Sequence, residues 1–172
     1  SSAASDVYKR EAYLIIRGLR TLDVRLDRHE LNAKKVASFL SRHKKVKLLY
    51  PYKKGSHNYK MWKKHYSGAS GLMGLKIKAK NKNSINKFVN SLKLFGYGYS
   101  WGGFESLALQ QEFRELGNRN YLGLAKDEHL VRLHIGLEDP QDLSQTRPAI
   151  LLKCRSDLES IIGSDSWKNA RG

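Results

Sequence analysis

The chain is poor in the features that would give it away quickly. It holds a single cysteine, Cys154, so no disulfide can form within it, and a reducing, cytoplasmic setting is expected. No apolar run approaches the ~18 residues that announce a membrane span. The opening SSAASDVYKR lacks the apolar segment of a secretory signal. The six histidines are scattered, with no cysteine cluster and no HExxH spacing, which excludes the usual metal motifs. There is no G-x-S-x-G elbow, and SGASGLMG (67–74) lacks the Lys-Ser/Thr ending of a phosphate loop.

Acid is absent over a long stretch. The whole chain carries 32 Lys and Arg against 16 Asp and Glu, a net charge of +16, yet Leu31 to Phe104 contains 17 Lys or Arg and no acidic residue. Two readings fit: an anionic partner (nucleic acid, a lipid surface or a phosphate ligand), or a solvated lysine-rich face. The cations are spread over several expected elements rather than along one face, which argues against a nucleic-acid partner.

What is present reads as α/β with an α+β-like arrangement: a long N-terminal helix, then a roughly four-stranded sheet with helices packed on it. Ile15, Leu19, Leu22, Leu26, Ala33, Val36, Ala37 and Leu40 repeat at three and four residues, predicting one helical region from Ser5 to Arg42. Ser5 or Asp6 is its expected cap, and Gly18 its expected kink. KVKLLY (45–50), GLMGLKIKA (71–79), KLFGYGY (93–99) and HLVRLHIGLE (129–138) are the expected strands. The last puts Leu130, Arg132, His134 and Gly136 on one face and Val131, Leu133, Ile135 and Leu137 on the other. Short helices are expected over His57–Tyr66, from Ser84, and from Asp139-Pro140; 112–128 reads as loop with some helix. The expected organisation is a linking helix over 1–44, a domain over 45–143 and an atypical tail over 144–172, where Pro148 interrupts any helix.

Two features invite chemistry. YGYSWGGFESLAL (97–109) is too aromatic for a plain loop and too glycine-rich for a regular element. Arg132 stands between leucines in an apolar strand, where a guanidinium needs an anion. Its planar fork suits a carboxylate ligand. A structural salt bridge to Glu105 or Glu138, or a place on a solvated strand face, satisfies it equally well at this point.

YLIIRGLRTLDVRL (13–26), YSWGGFESL (99–107) and LVRLHIGLEDPQDL (130–143) together resemble, in order and spacing, the pyridoxal-phosphate enzymes of cysteine and methionine metabolism, and most of all their cystathionine β-lyase branch. The resemblance covers about three quarters of the chain and matches the family's C-terminal domain with the helix leading into it. It implies a fold-type I enzyme, tetrameric in the family, that cleaves cystathionine by α,β-elimination to homocysteine, pyruvate and ammonia, in methionine biosynthesis. It implies that Arg132 binds the α-carboxylate of a small amino-acid substrate, with Ser100, Trp101 and Tyr99 at the same end of the site. The family's Schiff-base lysine and its other cofactor-binding groups belong to a domain that no segment here resembles. The chain is therefore expected to hold no catalytic lysine, to bind no pyridoxal 5'-phosphate and to be inactive alone; a truncated gene, a proteolytic fragment or a shifted reading frame each accounts for the atypical end. A basic nucleic-acid-binding module and an inactive remnant acting as an interaction domain are the alternatives.

Overall fold

The computed structural model describes residues 2–42, 46–79, 81–111 and 123–139. Helices α1 (Ser2–Leu19) and α2 (Leu22–Leu40) come first, followed by β1 (Val46–Leu49), α3 (Tyr59–His65), β2 (Leu72–Lys78), α4 (Lys82–Ser91), β3 (Gly96–Tyr97), β4 (Leu107–Gln111) and β5 (Glu128–His134). The strands form one sheet in the order β1-β2-β5-β4-β3. All pairings are antiparallel except β3 with β4.

The alternation expected in β5 holds. Val131, Leu133 and Ile135 point to one side, where they join Met73, Leu75 and Ile77 of β2 in a single apolar cluster. Ala33, Val36, Ala37 and Leu40 of α2 and Ile85, Phe88 and Val89 of α4 cover that cluster. Leu130, Arg132 and His134 therefore fall on the opposite face. There Arg132 stands in register with Gly74 on one side and Leu109 on the other. This register places Arg132 and His134 beside the glycine-rich run.

Several expectations change. The long helix is two helices, broken around Arg20 and Thr21. Arg25 closes the break by donating from its guanidinium to the carbonyl of Gly18, satisfying an end-of-helix acceptor. Only the second half of the apolar stripe is core: Ile15, Leu19, Leu22 and Leu26 are exposed. Ser5 and Asp6 lie inside α1 rather than at its start. Helix α4 is capped not by Ser84 but by Asn81, whose side chain accepts from the Ser84 amide at 3.0 Å. The strand expected across 93–99 shrinks to two residues, and β4 is a fifth strand. The helix from Pro140 and the tail lie outside the described residues, as does most of 112–128.

Leu75 is 1% exposed at the centre of the cluster. Leu75→Ala is expected to cost ~3 kcal/mol, read as a lower urea midpoint at unchanged slope. A midpoint within error of the parent's would place the core elsewhere.

Candidate functional site

Beyond His134 the β5 ladder ends, and the chain runs on through Ile135, Gly136 and Glu138 against the 98–106 loop. Arg132 reaches that loop directly. Its Nη2 donates to the carbonyls of Gly98, Tyr99 and Ser100 at 3.0, 2.8 and 3.0 Å. Two protons serve three acceptors, so the contacts are shared. Neither Glu105 nor Glu138 pairs with it, which corrects the salt-bridge reading: three carbonyl dipoles take the place of a carboxylate. Its Nε is buried and has no hydrogen-bond partner.

Glu138 is used elsewhere. Its two carboxylate oxygens accept from the Ser106 amide at 2.6 Å and from the Ser106 hydroxyl at 2.8 Å, and the same hydroxyl accepts from the Gly136 amide at 2.9 Å. Asn32 of α2 donates to the carbonyls of Gly136 and Glu138 at 2.9 and 2.8 Å. His29, one turn earlier, donates from Nδ1 to the carbonyl of Ile135 at 2.7 Å. A buried face of α2 thus satisfies the carbonyls that β5 leaves open where its ladder stops.

His134 is pinned between this frame and the loop. Its Nε2 lies 3.1 Å from both the Gly102 amide and the Gly103 carbonyl. The same nitrogen cannot accept from one and donate to the other at once, so each tautomer selects one contact. The ring lies 5.1 Å from that of His29. Gly102 has φ +84°, a conformation that disfavours any side chain at this corner. Gly136 is crowded: an added Cβ would come within 2.3 Å of the Phe104 carbonyl.

Tyr99, Ser100 and Trp101 are brought together at the exposed tip of the loop; Tyr99 is 75% exposed and Trp101 63%. Arg132 touches their backbone and not their side chains. The structure thus joins the four residues singled out from sequence and adds His134, Ser106, Glu138, Asn32 and His29, which hold them in place. Of these, Ser106, His134 and Glu138 lay inside the motifs, but nothing in the spacing paired them. The arrangement offers a buried guanidinium nitrogen with no partner, neighbouring exposed aromatic rings, and no hydrogen-bonded amine. That set fits a carboxylate. It does not by itself fit pyridoxal phosphate, which is held and activated through a lysine imine. Lys76 is the buried lysine among the described residues, but it stands in register with Leu130, on the side of Arg132 away from His134 and the loop. No three His, Cys, Asp or Glu come together as metal ligands among the described residues. No described helix is long and apolar enough to cross a membrane.

Residues 4–146 match the family model for Cys/Met metabolism PLP-dependent enzymes. Cystathionine beta-lyase MetC of Escherichia coli is 39% identical over 140 residues, covering 77% of this chain and 34% of that protein. An L-alanine/L-glutamate racemase of Wolbachia pipientis is 34% identical over 149 residues, covering 86% of this chain and 37% of its own length. Among solved structures, the cystathionine gamma synthase of Xanthomonas oryzae pv. oryzae in complex with cystathionine superposes with a TM-score of 0.69 at 28% identity, over 86% of this chain and 37% of that one. The chain spans about a third of the length of the curated relatives it matches.

Burial holds the His134 imidazole below its ordinary 6.5, although the Gly103 carbonyl pulls the other way. At a pH between the lowered value and 6.5, the unfolded chain binds a proton that the folded chain does not. The stability linked to this ring is therefore complete above 6.5 and is lost as pH falls through the folded value. Urea midpoints measured from about pH 7 down to about pH 5 are expected to fall, and more steeply for the parent than for His134→Gln. Equal slopes would remove His134 from the pH response.

Proposed function

The chain belongs to the Cys/Met metabolism PLP-dependent enzymes, and from that membership we propose that it forms the substrate-carboxylate end of a carbon–sulfur lyase of the cystathionine β-lyase type. The observation that carries this reading is Arg132: a guanidinium on a rigid strand, with one buried nitrogen free, facing a loop it already holds. The relatives named above include a lyase, a racemase and a synthase. What amino-acid substrates of such different reactions share is the α-amino-acid group itself. A segment common to those proteins suits recognition of the carboxylate better than control of the bond broken.

In this reading Arg132 binds the α-carboxylate by charge-assisted hydrogen bonds. Ser100, whose hydroxyl has no partner among the described residues, offers a further donor. Trp101 and Tyr99 limit water around the ion pair, which strengthens it. Fixing the carboxylate fixes the direction of the Cα–H bond, which is how an anchor far from the broken bond contributes to rate. Bound pyridoxal phosphate supplies an electron sink for carbanion chemistry. In this reading the imine-forming amine lies outside this segment, and the elimination of cystathionine to homocysteine, pyruvate and ammonia is assigned to the complete enzyme. The exposed apolar residues of α1, Tyr13, Leu14, Ile15, Ile16 and Leu19, suit a surface covered by the rest of such an enzyme or by another subunit.

Two experiments test this. In an active enzyme containing this segment, Arg132→Ala is expected to lower kcat/KM about 100-fold, mostly through KM, because a hydrogen-bonded charge contributes ~2–3 kcal/mol. Unchanged kinetics would remove Arg132 from the substrate site. The 172-residue chain, mixed with pyridoxal phosphate and treated with borohydride, is expected to give no single lysine modified in stoichiometric yield. Specific labelling of one lysine, located by mass spectrometry, would mean that the chain holds the cofactor unaided.

A further inference from the structure

The acid-free stretch found in the sequence takes on a shape in the fold. A cleft of about 770 Å³ opens between α2, the turn after β1, and α3, lined among others by Tyr52, Lys53, Tyr59, Trp62, Lys63 and Tyr66. A second, of about 810 Å³, is lined by Lys47, Pro51, His57 and Asn58 among others. The two share Ser41, Tyr50, Lys53 and Lys54, so they form one elongated groove. Lysines that are dispersed in sequence over β1, a turn and α3 thus converge on one concavity.

Their charges are uncompensated. Lys34 is taken by Glu30 at 2.6 Å and sits 4.6 Å from the centre of the Tyr52 ring. Lys47, Lys53, Lys54 and Lys63 have no ion-pair partner among the described residues, and all four are exposed. Four like charges around one groove raise its potential and attract an anion. One end of the groove is aromatic. Trp62 stacks on Tyr59 with ring centres 5.8 Å apart, meets Tyr52 edge-on at 4.9 Å, and is oriented by its indole N–H donating to the Gly68 carbonyl at 3.1 Å. Tyr66, beside them, is 66% exposed. Packing accounts for Tyr52, Tyr59 and Trp62. It accounts neither for Tyr66 nor for the unpaired lysines.

We infer that this groove binds single-stranded nucleic acid without sequence preference, with phosphates along Lys47, Lys53, Lys54 and Lys63 and a base stacked at the Tyr66 end. An elongated cationic channel with aromatic rings on its wall is the form such binding takes. A concave groove suits a strand lying within it better than it suits a flat lipid surface. This inference is independent of the Arg132 site, none of whose residues lines the groove.

The test is fluorescence anisotropy of a labelled oligothymidylate titrated with the 172-residue chain, at about 50 and about 200 mM salt. Saturable binding is expected, weakening at least ~10-fold between the two salts. Lys53→Glu with Lys54→Glu and Lys63→Glu should weaken it a further ~10-fold or more, and Tyr66→Ala several-fold at both salts. Lys87→Glu with Lys93→Glu, exposed lysines in and after α4 outside the groove, reverses two charges rather than three and should have a much smaller effect per reversal. If the triple reversal fails to fold, Lys53→Gln with Lys54→Gln reads a smaller loss in the same direction, compared with Lys87→Gln with Lys93→Gln. Three results overturn the inference: no binding at the lower salt, equal weakening per charge changed by the control pair, or tighter binding to phosphatidylserine vesicles than to the oligonucleotide.

Discussion

The site depends on the buried contact between α2 and the segment that follows β5. Where the β5 ladder ends, the carbonyls of Ile135, Gly136 and Glu138 have no strand to receive them. His29 and Asn32 take them over. Asn32 is fully buried and His29 nearly so, and a carbonyl left unpaired in such a place costs about 1–3 kcal/mol. The helix therefore fixes the path of residues 135–138. That path sets where the Glu138 carboxylate sits, and Glu138 in turn grips Ser106 by both amide and hydroxyl. The Leu137 amide adds a bond to the Phe104 carbonyl at 2.8 Å. Both ends of the aromatic loop are thereby tied: one through Ser106 to the end of β5, the other through Arg132 to β5 itself.

This frame explains how an apolar strand tolerates an arginine. Three peptide carbonyls give the guanidinium a partial negative surround without a formal charge. A carboxylate in their place would neutralise it and leave little attraction for an anionic ligand. Glu138, the nearby acid in sequence, is kept to the Ser106 contacts, so Arg132 retains its net positive charge. His134, beside it, is held towards its neutral form by burial, which keeps a second cation from crowding the first. The result is one full positive charge on the central strand, on the sheet face away from the helices, oriented by dipoles and flanked by exposed rings.

Much of this was legible in the sequence, for physical reasons that differ by element. The period-2 alternation of β5 is strict because one face packs a core, so it announced both faces and put Arg132 and His134 together on one of them. β4 was not legible: LALQQ is five residues long, begins straight after a glycine-rich turn, and has adjacent buried residues on both faces, so no alternation marks it. The helical stripe continued across Arg20 and Thr21 because neither residue is a helix breaker. The break falls two residues after Gly18, the expected kink, and separates the exposed α1 from the packed α2. Arg132's partners were unreadable for a different reason. Charge complementarity pointed to Glu105 and Glu138, whereas the actual acceptors are backbone carbonyls, which carry no sequence signal. Gly136 looked like one more small residue in a strand, and only the approach of the Phe104 carbonyl reveals why a side chain there is excluded.

If Arg132 also receives a carboxylate, as proposed, that double duty explains why a lysine would not serve in its place. A guanidinium carries five N–H donors in a rigid plane, so one nitrogen can hold the loop while another stays free for a ligand. An ammonium has a single nitrogen. If it bonded the Gly98, Tyr99 and Ser100 carbonyls it would be saturated, and if it turned to a ligand the loop would lose its tether. In the proposed reading, loop order and anion binding are therefore coupled through one side chain. An anion that engages the free Nε adds a second anchor to the guanidinium plane and restrains the nitrogen that holds the loop. The rings of Tyr99 and Trp101 should then be most ordered when the anion is present. The frame around His29, Asn32 and Glu138 remains fixed, so ordering is confined to the tip of the loop, where the exposed rings are.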